Sequence, residues 1–493
     1  MKLLIGLMLV FPLMFTSCTD DLADMNIDPN TSQILTYDAQ FLNVQGAIHG
    51  LGSWGLSFYA TAMQQLAAIT LNQAPGDKYL NANDNLGNAY SYAYQYQIKN
   101  VLDLINRTKD DPELSNYYNI ARIMKVYAFT FVTDAWGDTP YSEAGKGYTD
   151  LLFFPVYDTQ ESIYMDFFKE LNEAIPALDP SKVTYNGSDS YYSGDIQQWK
   201  KLGYTLMLRL AMRIQKVKPD LAKQWVNTAI SGGVFTSNDD NQIFHHSSAG
   251  IKNSINDNFQ YQFARYRGAK TLVDMLRNTG DPRLHIFLEP YTGNVLEGLP
   301  NGLDAVTIGD PEMNPSGLTF DEMAFPNRII LNDLGAPDIG LNYAEVCFLK
   351  AEAVLRGWIT GDATALYNAG VAASMTQWGI YNGITVPDAA AIQSYLNANP
   401  FDGSYEMIGN QMYLTFWRNY IEVFNNWRRT GYPVLTPINY PNNVTGGVIP
   451  RRVPYYGFGT TDTGVKQNLD NYEAAVARQG PDTYLTRVWW DKE

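Results

Sequence analysis

Residues 196–214 read IQQWKKLGYTLMLRLAMRI, and this stretch decides the fold. Trp199, Leu202 and Leu206 recur at spacings of three and four, which puts one apolar stripe along a helix. Gly203 stands within the stripe, and a residue without a Cβ there lets another helix come close. A second apolar segment, Leu221 to Ile230, follows and stops at Gly232-Gly233. Glycine at that point closes a helix. Two helices on a short link, nested through a glycine, make a hairpin.

The order of large residue, Leu, Gly and large residue is that of the opening of a tetratricopeptide repeat, and the same logic extends both ways. Upstream, Tyr37 to Ile48, Trp54 to Ile69, Ala89 to Asn106 and Glu113 to Asp134 are apolar-periodic; in the last, Ile120, Met124, Tyr127 and Phe131 form one row. A polar loop, Thr70 to Asn88, separates the second from the third, and DAWGDTPYSEAGKG (134–147) carries turn chemistry with Trp136 expected at the surface. Ser162 to Leu178 reads as helix up to Asp179-Pro180.

Downstream, Val234 to Leu341 is irregular apart from a helix at Thr271 to Asn278 closed by Gly280-Asp281-Pro282. Loops of such length are functional or disordered, and Phe259, Tyr261, Phe263, Tyr266 and Tyr291 argue for order. Tyr343 to Gly357 and Ala363 to Trp378 form another hairpin, rich in alanines that let helices sit close. Tyr405 to Arg429 reads as the longest helix, with Met412, Phe416, Tyr420 and Phe424 in one row, and Ile449 to Glu493 as a docked tail. Trp199, Trp378, Trp417 and Trp427 fall on helical faces and are assigned to the core, with Arg428 and Arg429 stacking near Trp427.

The first residues, MKLLIGLMLVFPLMFTSC, set the compartment. Lys2 precedes an apolar run from Leu3 to Phe15, short of the ~20 residues a permanent membrane helix needs. The run ends at Thr16-Ser17-Cys18, which resembles the lipobox of bacterial lipoproteins, where the cysteine is acylated. Residues 1–17 are then a signal peptide and 18–36 a lipidated tether. Thr19-Asp20-Asp21 resembles the surface-export signal of Bacteroidetes lipoproteins. Cys347 is the other cysteine of the chain, so an acylated Cys18 leaves it no disulfide partner.

A net charge of −16 with no basic run argues against nucleic acid or anionic lipid as partner. Charged residues are 17% of the chain, against about 25% in typical soluble proteins, and aromatics are 13%, so polarity comes from Tyr, Asn, Gln and Ser. A glycoside hydrolase needs two opposed carboxylates. Asp134 with Asp138, or Asp77 with Asp84, supplies such a pair, but neighbours of this kind are expected by chance among 51 acidic residues. His49, His245, His246 and His285 lack zinc-ligand spacing, and no Gly-rich phosphate loop or Gly-x-Ser-x-Gly elbow occurs. Asn81, Asn83, Asp84 and Asp310 offer hard oxygens for calcium, but read as solvated turns, so no metal and no cofactor is expected. Sugars fit better, since Tyr or Trp faces take their C–H surface and amides their hydroxyls.

Six stretches together resemble the SusD/RagB family of nutrient-binding outer-membrane lipoproteins, in its SusD-like branch. They are Asp134 to Ala144; Trp199 to Arg213; Asp281-Pro282-Arg283; Asn342 to Glu345 through Ala351-Glu352-Ala353; Trp427 to Pro433; and Ile449 to Arg452. The resemblance implies a mainly α, single SusD-like domain over 37–493, with four tetratricopeptide-like helical hairpins supporting an irregular, loop-rich half with little β. The hairpins fall within about 87–231 and 342–380, the loop-rich region is about 234–341, and a long helix and docked tail occupy 404–493. It further implies a non-enzymatic, cell-surface protein, lipid-anchored to the outer membrane, that binds an oligosaccharide, or alternatively a peptide, for a SusC-type TonB-dependent transporter. Ligand sites of the family sit on the irregular half, which points to Asp77, Tyr79, Asn81, Asn83, Tyr261, Arg265, Tyr266 and Tyr291. The alternatives are a surface glycoside hydrolase and a helical-repeat adaptor for another protein.

Overall fold

Asp195 opens the helix Ile196–Arg213 by accepting from the amides of Gln197 (2.8 Å) and Gln198 (3.2 Å), satisfying two of the donors a helix start leaves unpaired. Trp199, Leu202 and Leu206 are buried on its inner face. Pro219 begins the return helix, Pro219–Gly232, and Gly233 in left-handed backbone ends it. The close approach that Gly203 permits is to the preceding helix, Gln160–Ala174: a Cβ at 203 would lie 2.6 Å from Ile175 Cγ1. The hairpin is therefore one layer of a stack.

In the computed structural model the described residues are 35–71, 74–261, 265–455 and 468–493, with backbone alone at 53, 83–85, 148 and 261. Residues 1–34, on which the expected signal peptide, Cys18 and most of the expected tether fall, lie outside them. The fold is mainly helical. Hairpins form from Lys99–Thr108 with Ser115–Trp136, from Ile196–Arg213 with Pro219–Gly232, and from Tyr343–Leu355 with Ala363–Thr376. In the last, Gly370 lets the pair close, since a Cβ would meet the Phe348 ring at 2.7 Å. Strands are confined to antiparallel pairs of two or three residues among the described residues, such as Ile243–Phe244 with Asp338–Ile339 and Leu288–Pro290 with Ala324–Pro326. The irregular stretch carries short helices at Ser254–Tyr261, Lys270–Asn278 and Arg328–Leu331.

Two expectations are corrected. The segment 405–429 is two helices, Tyr405–Thr415 and Tyr420–Thr430, and the longest described helix is Ser115–Trp136 with 22 residues. Arg418, at φ 72°, breaks the segment, and the left-handed turn delivers its guanidinium to Asn256 Oδ1 at 2.9 Å. Trp136 is fully buried: its ring packs edge-on against Tyr90 and Phe131, and its Nε1 donates to the Pro454 carbonyl at 3.1 Å. The turn chemistry around it places the tryptophan under the C-terminal segment.

The helical layers meet on a buried ionic cluster. Arg213 binds Asp134 and Glu422; Arg209 grips Glu345 with two bonds of 2.6 Å. Asp134 also accepts from Tyr164 Oη (2.5 Å) and Trp490 Nε1 (2.8 Å), which fixes the end of the chain to the core. Arg429 holds Glu352 at 2.7 Å, and Arg428 lies over Phe424 and Trp490, while Trp427 is covered by Arg451. Buried charges of this kind persist only when each is paired.

His49 gives the interior a pH dependence. Its ring is buried, stacked on Phe244, with Nε2 3.1 Å from Tyr191 Oη and Nδ1 3.8 Å from Asp338. Burial lowers its pKa from 6.5 to about 4, although the Asp338 charge pulls the other way. Between these values the unfolded chain binds a proton that the folded chain does not, so stability falls as pH drops through the window. A shift of this size corresponds to roughly 3 kcal/mol. Urea unfolding at pH 7 and pH 4 is expected to show that loss, and His49→Gln to flatten much of it.

Candidate functional site

The sequence AYSYAYQYQ, residues 89–97, places tyrosines at every second position. On a helix two residues are about 200° apart, so Tyr90 and Tyr94 face one way and Tyr92 and Tyr96 the other. Tyr90 and Tyr94 turn inward, with hydroxyls 3.4 and 2.6 Å from Thr139 Oγ1. Tyr92 and Tyr96 turn outward with ring centroids 4.8 Å apart, and Tyr96 is 51% exposed. Trp54 continues the row, 5.0 Å from Tyr92. Asn88, Gln95 and Lys99, all exposed, follow the same face at helical spacing.

Each residue of this row lies on or next to widened helix. Tyr92 ends Asn83–Tyr92 and a π-helical segment, Ala93–Ile98, carries Tyr96; Trp54 ends Gly52–Trp54 just before a second π segment, Gly55–Tyr59. Such segments re-aim side chains and concentrate at functional sites. The Gly52 turn is braced by the helix Ser254–Tyr261, where a Cβ at 52 would lie 2.7 Å from Ile255 Cγ1. Tyr96 is exposed while Trp54 and Tyr92 are half-buried, and successive rings are tilted by 52° and 39°, so the row offers solvent stepped apolar edges and part of each face, with amides and a lysine beside them. Burial lifts the Tyr92 hydroxyl above its ordinary pKa.

Of the residues singled out in the sequence, three are interior. Asp77 is fully buried against Lys78 Nζ (2.6 Å) and accepts from Asn301 Nδ2 (2.5 Å) and the Gly302 amide (3.2 Å). Tyr79 is buried in left-handed backbone, and Tyr266 is buried against Phe259 at 5.5 Å. These correct the sequence reading: their atoms are covered by protein, because the loops that carry them pack against the helical layers. Asn81 is exposed and accepts from Tyr484 Oη at 3.4 Å; Arg265 is half-buried. Tyr291 is half-buried, but Arg267 and Arg328 cover its ring at 4.1 and 5.0 Å. Asn83 and Tyr261 lie on the helices that flank Trp54, and Cys18 lies outside the described residues.

Beside Tyr291 a solvent-open groove of about 650 Å³ runs past Glu289, Arg328, Asn332, Asp333 and Asn382. Arg328 pairs with Glu289 at 2.8 Å, and Tyr381 on the floor is 3% exposed. The groove supplies hydrogen bonds but almost no ring face, so the Trp54–Tyr92–Tyr96 row is the better platform for a sugar. Trp54, Tyr92 and Tyr96 escaped the sequence reading, although the alternation of tyrosines in 89–97 carried the signal.

Of the two carboxylate pairs considered for hydrolysis, Asp134 with Asp138 is committed elsewhere. Asp134 is buried in the ionic cluster, and Asp138 is held by the Gln160 amide and Arg478 Nε, both at 3.0 Å. Among the described residues no group of three or more His, Cys, Asp or Glu is placed to hold a metal ion. No described helix is long and apolar enough to cross a membrane.

Comparison with solved structures returns SusD homologues. A chitin-binding protein superposes with a TM-score of 0.83 at 33% identity, over 93% of this chain and 100% of the other. A Bacteroidetes SusD-like protein gives 0.81 at 24% identity, with 93% and 100% covered. A chitin-binding SusD homologue from Flavobacterium johnsoniae gives 0.77 at 24%, with 93% and 99% covered. A search of curated protein sequences returns no match. The model of the SusD-like family, described as starch-binding and associating with the outer membrane, matches residues 38–456. Helical layers, sparse strands and a match over most of its length agree: the chain belongs to the SusD-like family.

Proposed function

We propose that this protein is a non-enzymatic capture protein that binds an oligosaccharide nutrient on the Trp54–Tyr92–Tyr96 row and passes it to a SusC-type TonB-dependent transporter. The observation that carries the reading is the aromatic row itself, exposed at Tyr96 and half-buried at Tyr92 and Trp54. Each ring that covers on the order of 50 Å² of sugar contributes roughly 1 kcal/mol. Two or three such stacks with a few hydrogen bonds, after the cost of association, give micromolar to millimolar affinity. Weak capture suits a carrier that must release its cargo. The 33% identity to a chitin-binding protein over nearly the whole chain supports an N-acetylated glucan as the ligand.

The body, residues 37–493, hangs at the cell surface from Cys18 through the tether 18–36 once residues 1–17 are removed. Two acyl chains suffice for stable attachment. The test is a glycan array probed with the full mature chain, run beside a hydrolysis assay. Retention of chitooligosaccharides without product release is expected; release of shortened sugars contradicts the carrier reading. Cys18→Ala is expected to abolish labelled-palmitate incorporation and free the protein from the membrane.

A further inference from the structure

Lys78 is fully buried, and so is the Asp77 side chain it faces. Its Nζ donates to Asp77 Oδ2 at 2.6 Å and to the Ala68 carbonyl at 2.7 Å, and lies 5.8 Å from the centre of the Tyr440 ring. An ammonium taken out of water is costly even when paired, and sugar capture on the aromatic row makes no use of this one. The second oxygen of the same carboxyl group, Asp77 Oδ1, accepts from Asn301 Nδ2 at 2.5 Å. A lysine amine and an asparagine amide from distant parts of the chain therefore meet on one aspartate.

All three groups are held by rigid surroundings. Asn301 Nδ2 is also within reach of the Leu66 carbonyl at 2.9 Å and the Thr61 carbonyl at 3.3 Å, and the Gly302 amide donates to Asp77 Oδ2 at 3.2 Å. Leu66 itself is paired with Gly268 in a short antiparallel ladder. The turn Pro75–Lys78, which carries Asp77 and Lys78, sits against the Phe58 carbonyl so closely that Gly76 has no room for a Cβ. Burial pushes the Asp77 carboxyl above its ordinary pKa, against the pull of Lys78 and of the hydrogen bonds it accepts. A carboxyl group that takes a proton readily, fixed between an amine and an amide, is placed for general acid–base work between them.

We propose that Lys78 and Asn301 become joined by an intramolecular isopeptide bond, with Asp77 as the proton carrier. Nζ passes a proton to Asp77 and its freed lone pair forms a bond to Asn301 Cγ. A second proton leaves Nζ as the Cγ–Nδ2 bond breaks. One of the two protons is relayed through Asp77 to Nδ2, which departs as ammonia, and the other stays on Asp77; the Asn301 oxygen remains as the carbonyl of the new amide. No oxidant or co-reactant is consumed. Asn301 is half-buried, which leaves the departing ammonia next to solvent. The buried ion pair is exchanged for a neutral acid and a neutral amide, so the cost of the buried charge disappears. A cross-link between segments this far apart restricts the unfolded chain as a disulfide does, in a body whose Cys347 is free and buried.

Trypsin digestion of the full mature chain, read by mass spectrometry, tests this. Trypsin cuts after a free lysine, so the bond spares Lys78: the expected product is the peptide that runs through Lys78 to Lys99 joined to the peptide 284–328, lighter than the two together by one ammonia. Cleavage after Lys78 with peptide 284–328 at its full mass overturns the bond. Asn301 is followed by Gly302, and such a pair also sheds ammonia by closing to a succinimide. That product carries no link to Lys78, persists in Lys78→Met and is cut by hydroxylamine; finding it in place of the linked peptide overturns the bond as well. Asp77→Asn is expected to abolish the link in a chain that still melts cooperatively, and a linked peptide in that variant removes Asp77 as the carrier. Where Asp77→Asn does not fold, the digest of the unaltered chain decides alone.

Discussion

Replacing Arg213 by methionine is expected to destabilise the protein by about 3–5 kcal/mol, the range found when one partner of a buried ion pair is removed. Arg213 is 1% exposed and faces two carboxylates, Asp134 and Glu422, which are 1% and 7% exposed. Methionine fills much of the volume, so the cost arises from the charges left behind and not from a hole. The pairing also has reach: Asp134 is tied to Tyr164 and to the Trp490 indole, and Arg213 itself lies 5.5 Å from the Trp490 ring. Loss of Arg213 should therefore loosen the C-terminal segment as well, seen as earlier proteolysis near residue 490. Urea unfolding measures the first effect. Adding Asp134→Asn and Glu422→Gln should return part of the lost stability, because neutral amides need no counter-charge. A loss below about 1 kcal/mol, typical of solvent-exposed pairs, contradicts the burial argument.

Trp54→Ala with Tyr96→Ala is expected to lower oligosaccharide affinity about fifty- to hundredfold. Each ring face covered by sugar is worth roughly 1.2 kcal/mol by area, close to tenfold in affinity, and the rings lie in one row that a single chain can span. The melting temperature should change little for Tyr96→Ala, whose ring is half exposed, and modestly for Trp54→Ala, whose ring is half-buried. Tyr266→Ala makes the opposite pair of outcomes: its ring is 1% exposed, so stability drops and any loss of binding follows from loss of fold. Comparing the variants by titration and by melting separates platform from core.

The helical stack was legible because it is periodic. Trp199, Leu202 and Leu206 face inward as their spacing requires, and Trp378, Trp417 and Trp427 are core. The break at Arg418 was not, since Met412, Phe416, Tyr420 and Phe424 keep a helical rhythm across a residue that adopts left-handed backbone. Trp136 was misplaced because turn residues around it describe the chain path and say nothing of what later covers the ring. The stretches that betray the family turn out to hold the body together: Asp134, Arg209, Arg213, Glu345, Glu352 and Arg429 are the buried ionic clusters. Binding residues follow no such shared pattern. The loop residues Asp77, Tyr79 and Tyr266 looked available because polar loops usually face water, yet here those loops are drawn into the core. Tyr92 and Tyr96 looked like ordinary helix, and only the two-residue alternation hinted that half of those tyrosines must face out.

The most direct test of the central claim is a crystal structure of the mature chain with a bound chitooligosaccharide. Sugar rings lying over Tyr96, Tyr92 and Trp54 are expected. Sugar seated in the groove beside Glu289 and Arg328, with the aromatic row bare, contradicts it.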